Sequence, residues 1–567
     1  MFLKSWAGRA RTGIAVVAAV AAAALALAGC SAGSSSSSSS SSGSGITVFN
    51  GATGSVAENF NPFISTALQP TFGVIYETLY YYNLVSQSAK PQPQPQLATG
   101  FSWNGGGTQL TITTRSGVKW SDGEPFSAAD VAYTVNLVGK TPALNTNGIH
   151  ATATATGPNT VELTFASTSF VQEANILGNL PIVPEHVWKN ISNPTTNINK
   201  TPVGTGPYTL KSFTPQNYVL ASNARYWDGK PKVATVRYIA LSNADAASAA
   251  LLAGQVDWMS SYLPGLKTLV ASHKDISYIN TPETTTQLTA CVSVKLGCTG
   301  PQTDVAVRQA IYYAVDRTQL NELAEGGFGQ IGSPTLLLPV RDKGWISNPN
   351  DVTSPDHAQA AKAGSILEGA GYTKGADGIY QKHGQRVSMT VEVISGYSDY
   401  IAAASTMTSE LKAAGIELKT DQVSVNQSSN DATNGLAEFT MSNFGASVST
   451  NPYFMYWQYY AGTNTAKVGQ PATGGNSARY VNPAVDAALT AAAATKDEAV
   501  QKEQYGIIQK EIVRDMPYIS LFVNPAISEF NTTRVSGWPT ESDVYAFPAS
   551  WKNWDNGIVL RHLEPRT

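Results

Sequence analysis

Gly117-Val118-Lys119-Trp120-Ser121-Asp122-Gly123-Glu124-Pro125-Phe126-Ser127-Ala128-Ala129-Asp130-Val131 reads as a turn followed at once by a helix start. Asp122-Gly123 is a turn pair: Asp bonds nearby backbone, and Gly accepts a positive φ. Ser127, with Asp130 three residues on, is a variant of the capping box. Val131, Val135 and Val138 then fall on one helical face. On either side, residues 109–113 and 161–165 alternate apolar and polar as strands. Strands interleaved with a capped helix point to α/β layering.

The pattern continues outward. Upstream, residues 46–49 are an apolar strand, the aromatic run 72–80 is predicted as a helix, and the Pro/Gln stretch 91–96 as an extended surface connection. Downstream, strands fall at 208–210 and 236–239, and a helix over 245–253 stops at Gly254. A helix over 304–316 carries the stripe Val307, Ala310, Ile311, Ala314 and Val315, with Arg308, Gln309, Tyr312 and Asp316 on its other face. Ser354-Pro355 is predicted to open a helix with Pro at its first position. A strand at 389–394, a helix over 399–414 ending at Gly415, a helix over 498–514 closed by Pro517 and a strand at 518–523 complete the alternation.

The N-terminus stands apart. Lys4, Arg9 and Arg11 precede an apolar run from Ile14 to Ala28, too short to span a bilayer comfortably, which ends in Leu27-Ala28-Gly29-Cys30. This end resembles the lipobox of bacterial lipoproteins. It implies that residues 1–29 are a signal peptide and that Cys30 carries two acyl chains, enough for stable anchoring. Residues 31–45 contain only Ser, Ala and Gly, a flexible tether with a reach of roughly 20 Å. With Cys30 set aside, Cys291 and Cys298 are an even pair in an oxidising compartment, and a structural disulfide is expected between them.

Length alone leaves room for about three or four domains in the body. A net charge of −3 and a pI near 6.1 recommend neither nucleic acid nor an anionic surface as partner. Tyr (25) and Trp (11) are plentiful while charged residues are sparse, which suits a stacking cleft, although most rings are expected in the core. Enzymatic motifs fail. Gly139-Lys140-Thr141 lacks the glycine five residues earlier, where Thr134 stands. There is no His-Glu-x-x-His, Gly-x-Ser-x-Gly or Cys-x-x-Cys, and the six histidines (150, 186, 273, 357, 383, 562) have no ligand spacing. His186 is read as a packing residue. No catalytic residue, metal or cofactor is expected.

Several further stretches carry a family resemblance. They are Pro202-Val203-Gly204-Thr205-Gly206-Pro207-Tyr208, Arg225-Tyr226-Trp227-Asp228-Gly229-Lys230-Pro231 and Leu251-Leu252-Ala253-Gly254-Gln255-Val256-Asp257. Val307-Arg308-Gln309-Ala310-Ile311-Tyr312-Tyr313-Ala314-Val315-Asp316-Arg317, Leu367-Glu368-Gly369-Ala370-Gly371-Tyr372 and Met516-Pro517-Tyr518-Ile519 follow. With residues 117–131 they stand in the order found in the extracytoplasmic solute-binding proteins of peptide-type (oligopeptide/dipeptide) ABC importers, which the chain resembles over nearly its whole mature length. The glycines of 204–207 are read as turn formers with positive φ, and Arg308 and Asp316 as members of surface or interlobe ion pairs.

The resemblance implies an α/β, two-lobed periplasmic-binding-protein (Venus-flytrap) fold with an extra subdomain inserted in the first lobe. The first lobe would comprise 46–88, the insert 89–201, then 202–290 and a C-terminal return at 523–567; the second lobe would be 291–522. It also implies a lipid-anchored extracytoplasmic binding protein, not an enzyme, that passes a peptide or similar solute to a separate permease and ATPase. Oligosaccharides or other neutral solutes are the alternative; a surface hydrolase or a passive envelope protein follow behind. Peptide-binding members carry an acidic residue in an aromatic loop of the second lobe, which pairs with the peptide ammonium. The matching region here, 442–452, has no Asp or Glu, and an unpaired buried ammonium is costly. The expected ligand is therefore neutral or lacks a free α-amine, contacted by Trp258 from the first lobe and by Asn443, Phe444, Tyr453 and Trp457 from the second. Should a free amine be recognised, Glu77 and Asp257 are the carboxylates to examine first.

Overall fold

Two long antiparallel strands, Ile276–Ala290 and Tyr518–Asn531, run side by side through the whole body and join its halves. The computed structural model describes residues 45–85, 92–261, 263, 265–444 and 451–566; the signal segment, Cys30 and nearly all of the Ser/Gly tether lie outside them. Toward one end the long pair is flanked by Trp258–Met259, Gly45–Val48, Thr235–Ile239, Asn217–Ser222 and Tyr208–Thr214. Toward the other it is flanked by Phe439–Asn443, Ser388–Ile394 and Glu417–Val423, paired parallel. The register slips between Pro282 and Thr285 and again at Thr286/Gln287. Such irregularities bend a ladder, and here they fall where the pair crosses from one lobe to the other.

The opening motif folds as read. Ser127 accepts from Ala129 N, and Asp130 returns a bond from Ser127 N, capping helix Ala128–Lys140. Val131, Val135 and Val138 are buried against a separate four-stranded antiparallel sheet, Ala98–Trp103, Gln109–Thr114, Thr160–Phe165 and Ala151–Gly157. His186 is not a packing residue: its Nε2 lies 2.8 Å from Asp122 Oδ2 at the surface.

The run 72–80 is not a helix. Gly73 takes φ +78°, and its N–H returns to Tyr76 O, so the segment folds as irregular turns. Its carbonyls are then free for the next chain segment: Gly206 N donates to Ile75 O and Tyr208 N to Val74 O. Gly204 and Gly206 are absent from the positive-φ set, unlike Gly123 at +106°. What they need is closeness: a Cβ on Gly204 would sit 1.9 Å from Ile75 O, and one on Gly206 2.3 Å from Val74 O.

The helix predicted over 304–316 is present, and a second follows it directly. Val305–Ala314 is capped by Asp304, and Asp316 caps a second helix, Arg317–Ala324. Arg308 and Tyr312 are buried, because helices Ala360–Gly369 and Glu498–Asp515 pack on the face expected to be open. Among the described residues Arg308 forms no ion pair. It donates through Nε and Nη2 to Asp515 O at the end of the neighbouring helix, and through Nη1 to Gln302 O. Asp316 does reach a surface partner, His357, at 3.1 Å. Pro355 precedes a loop rather than opening a helix; the helix starts at Ala360. Cys291 and Cys298 are joined, with Cα atoms 5.5 Å apart.

Beside the crossover, Glu325 is buried with Oε1 unpartnered. Burial, helped by the nearby Asp399 charge, pushes its carboxyl up to about 7. An unfolded Glu titrates near ~4.3, so the native state binds this proton more tightly than the unfolded chain does. The resulting stability is complete below about pH 4 and is lost as pH rises toward 7. Glu325→Gln is therefore expected to lose less melting temperature than the parent between pH 5 and pH 7.5. Equal losses in the two proteins would refute this.

Candidate functional site

Helix Tyr453–Tyr460 is fixed at its start by Asn451, whose Oδ1 accepts from Tyr453 N at 3.0 Å and from Tyr505 OH at 2.7 Å. A pitch of 3.6 residues sorts its rings onto two sides. Tyr456 and Tyr460 point inward and pack on Tyr505, Tyr480 and Tyr518. Phe454, Trp457 and Gln458, at i, i+3 and i+4, face a cavity of about 600 Å³, with Tyr453 and Met455 at its edge. Trp457 is 39% exposed, unusual for an indole unless it has something to meet.

The opposite wall comes from the inserted antiparallel subdomain and is made of amides. Asn145, Asn147, Gln172, Asn175 and Asn179 line it. These side chains are held. Asn145 exchanges two bonds with the Ile149 backbone, at 2.8 and 2.9 Å. Asn179 Nδ2 donates to Asn147 Oδ1 at 2.7 Å, and Asn147 Nδ2 donates back to Asn179 O at 3.0 Å. Among the described residues no Asp, Glu, Lys or Arg lines this cavity; its titratable groups are His150 and the Tyr453 phenol.

Asn179 also borders a second cavity of about 300 Å³, lined by Tyr81, Tyr82, Trp551, Trp554, Lys552 and Asp555. Its two charged side chains both have partners, a carboxylate for Lys552 and neutral donors for Asp555. Asp555 Oδ1 accepts from Tyr81 OH at 2.6 Å and from Phe547 N at 2.9 Å, and burial pushes its carboxyl up to about 6. Lys552 Nζ lies 3.9 Å from Glu283 of the crossover strand and over the Phe547 ring. The two cavities share Asn179 and together are called the trough; aromatic rings and amides line both, and the charges of Asp555 and Lys552 lie in the second.

Tyr453 and Trp457 lie in this wall. Asn443 is exposed at the end of its strand and borders neither cavity; Phe444 is buried, stacked on Tyr459 at 3.6 Å. Residues 445–450 of the aromatic loop lie outside the described residues. Trp258 has no exposed surface. It sits on an inner strand, its indole N–H donating to Pro548 O and its ring 5.7 Å from Trp538. Neither alternative carboxylate reaches the trough: Glu77 accepts from Tyr226 and Trp227, and Asp257 from Thr47 N and Arg534, all inside the first lobe. The amides at 145–179 and the indoles Trp551 and Trp554 had no mark in the sequence beyond residue type.

A profile described as bacterial extracellular solute-binding proteins, family 5, matches residues 92–466. Protein XP55 of Streptomyces lividans is 30% identical over 445 residues, 73% of each chain. The oligopeptide-binding protein AppA of Bacillus subtilis is 26% identical over 488 residues, 83% of this chain and 85% of that one. Among solved structures, a periplasmic oligopeptide-binding protein of Thermotoga maritima superposes with a TM-score of 0.82 at 23% identity, covering 93% of this chain and all of that one. The same protein with mannohexaose bound gives 0.76 at 22% identity, over 93% of this chain and 99% of that one.

Proposed function

We propose a function that proceeds from one fact: this chain belongs to family 5 of the bacterial extracellular solute-binding proteins. It is the solute-capturing component of an ABC importer and not an enzyme. The trough between the inserted subdomain and helix Tyr453–Tyr460 holds the solute, and the bent strand pair Ile276–Ala290/Tyr518–Asn531 is the hinge on which the lobes close. The closed form then delivers the solute to a separate permease driven by its ATPase. The observation that carries this reading is that the cavity takes its walls from both sides of the crossover.

The solute is of the peptide or oligosaccharide class. AppA of Bacillus subtilis is known by name as an oligopeptide binder, and the Thermotoga protein has been seen holding mannohexaose. The trough has the size of a small-molecule site, roughly 300–1,000 Å³. The test is small-angle scattering before and after addition of pooled oligopeptides and pooled oligosaccharides. A smaller radius of gyration with either pool is expected. No compaction and no thermal shift with both would overturn the reading, since a ligand at 100 times its Kd adds about 2.7 kcal/mol.

The protein is anchored by Cys30, the tether letting the body reach its membrane partner. Cys30→Ala is expected to appear in the medium or to keep its signal segment. Unchanged processing and membrane fractionation would refute the anchor.

A further inference from the structure

Trp554 is held in a conformation that a bulky residue adopts only under constraint. Its φ is +68° and ψ −38°, just before helix Asp555–His562. The backbone of Gly73 lies so close that a Cβ there would meet Trp554 Cα at 2.6 Å. The ring packs edge-on to Phe72 at 5.5 Å, and its indole N–H donates to Asn179 Oδ1 at 3.0 Å. Glycine would fit this backbone without cost, so the indole is kept at the expense of strain. Strain of this kind gathers at ligand sites.

The bond to Asn179 completes a chain from one cavity to the other. Trp554 Nε1 donates to Asn179 Oδ1, and Asn179 Nδ2 donates to Asn147 Oδ1. Indoles therefore stand near both ends of one trough, Trp457 at one and Trp551 with Trp554 at the other, with oriented amides between. Each amide both donates and accepts, as does each sugar hydroxyl. Among the described residues the first cavity offers no carboxylate or cation, and in the second Asp555 is held by Tyr81 and Phe547 and Lys552 by Glu283, so a peptide with free termini would bring charge beside Trp457 without a partner. We propose that the trough binds a neutral linear oligosaccharide, with pyranose faces on Trp457 and on the Trp551/Trp554 pair and hydroxyls read by Asn147, Asn175 and Asn179. This rests on the solute-binding reading above.

The test is calorimetry with two panels: neutral hexasaccharides (mannohexaose, cellohexaose, xylohexaose, maltohexaose) and pentapeptides, each with free termini and as the N-acetylated amide. At least one hexasaccharide should bind at least about tenfold tighter than every peptide. Trp457→Ala and Trp554→Gly should each weaken that sugar by about 10- to 100-fold, the loss of one stacked face plus its buried area. Trp457→Ala removes an exposed ring and should melt close to the parent, which separates loss of binding from loss of fold; Trp554→Gly is read only below its own melting point. If a peptide of either form binds and the hexasaccharides do not, the sugar assignment fails and the solute-binding reading stands. If both panels are silent, both fail.

Discussion

Arg317→Met is expected to cost on the order of 3–5 kcal/mol of stability, the scale at which removing a buried charge strands its partners. Arg317 is fully buried. Its Nε donates to Ser520 O at 3.0 Å, and its Nη1 to Tyr312 O at 3.1 Å and Pro355 O at 3.2 Å. Tyr312 lies in the last turn of helix Val305–Ala314, where carbonyls have no partner within the helix. The guanidinium thus closes that helix end, complements its negative dipole and ties it to the crossover strand Tyr518–Asn531 and to the loop before Ala360. Burial pulls the group down to about 10, with the Tyr312 ring and Glu410 opposing, so it remains charged at neutral pH. Methionine fills the volume but satisfies none of the carbonyls. Urea unfolding of parent and variant measures the difference; a loss below about 1 kcal/mol would show that water or local shifts satisfy those carbonyls instead.

This arginine also shows what the sequence could and could not convey. The stripe Val307, Ala310, Ile311, Ala314, Val315 announced an amphipathic helix, and all five are buried. Arg308 reads as a member of a surface or interlobe ion pair, and Arg317 has no reading beyond its place in the motif, because a charged residue type does not say whether its partner is another charge or the backbone. Both instead serve backbone carbonyls far off in the chain: a helix end 207 residues away for Arg308, and a crossover-strand carbonyl 203 residues away for Arg317. Pairing over such separations leaves no local periodicity to read. The proposed trough was half legible for the same reason. Tyr453 and Trp457 lie on one helix, so helical spacing could mark them. Asn147, Asn179 and Trp554 meet only because the insert, a short helix and the C-terminal return converge. Trp258 misled because its neighbours Gly254-Gln255-Val256-Asp257 locate a strand correctly but do not say which layer that strand occupies.

Gly204→Ala is the second large effect, and it tests a different reason for glycine. The residue's φ is ordinary, so an argument from backbone freedom predicts a mild change of about 1 kcal/mol or a slight gain. The packing argues otherwise. The added methyl would lie 1.9 Å from Ile75 O and 2.7 Å from Ile75 C, both backbone atoms fixed by their own bonds. Ile75 O already accepts from Gly206 N at 2.9 Å, and Val74 O from Tyr208 N at 3.1 Å. To admit the methyl, segment 72–76 must move off the 204–208 turn, and these two bonds go with it. The same segment abuts Trp554 and Gly557 through Gly73, so the shift would reach the second cavity. The expected cost is at least about 3 kcal/mol, above the usual range for overpacking because backbone has no rotamer to yield. Gly123→Ala is the control: φ is +106° there, and a methyl meets nothing nearer than Arg225 Nε at 3.7 Å, so only the left-handed strain of about 1–2 kcal/mol applies. A Gly204→Ala protein as stable as Gly123→Ala would mean that segment 72–76 yields freely. In that case the glycines of this turn owe their place to something other than the close approach of two backbones.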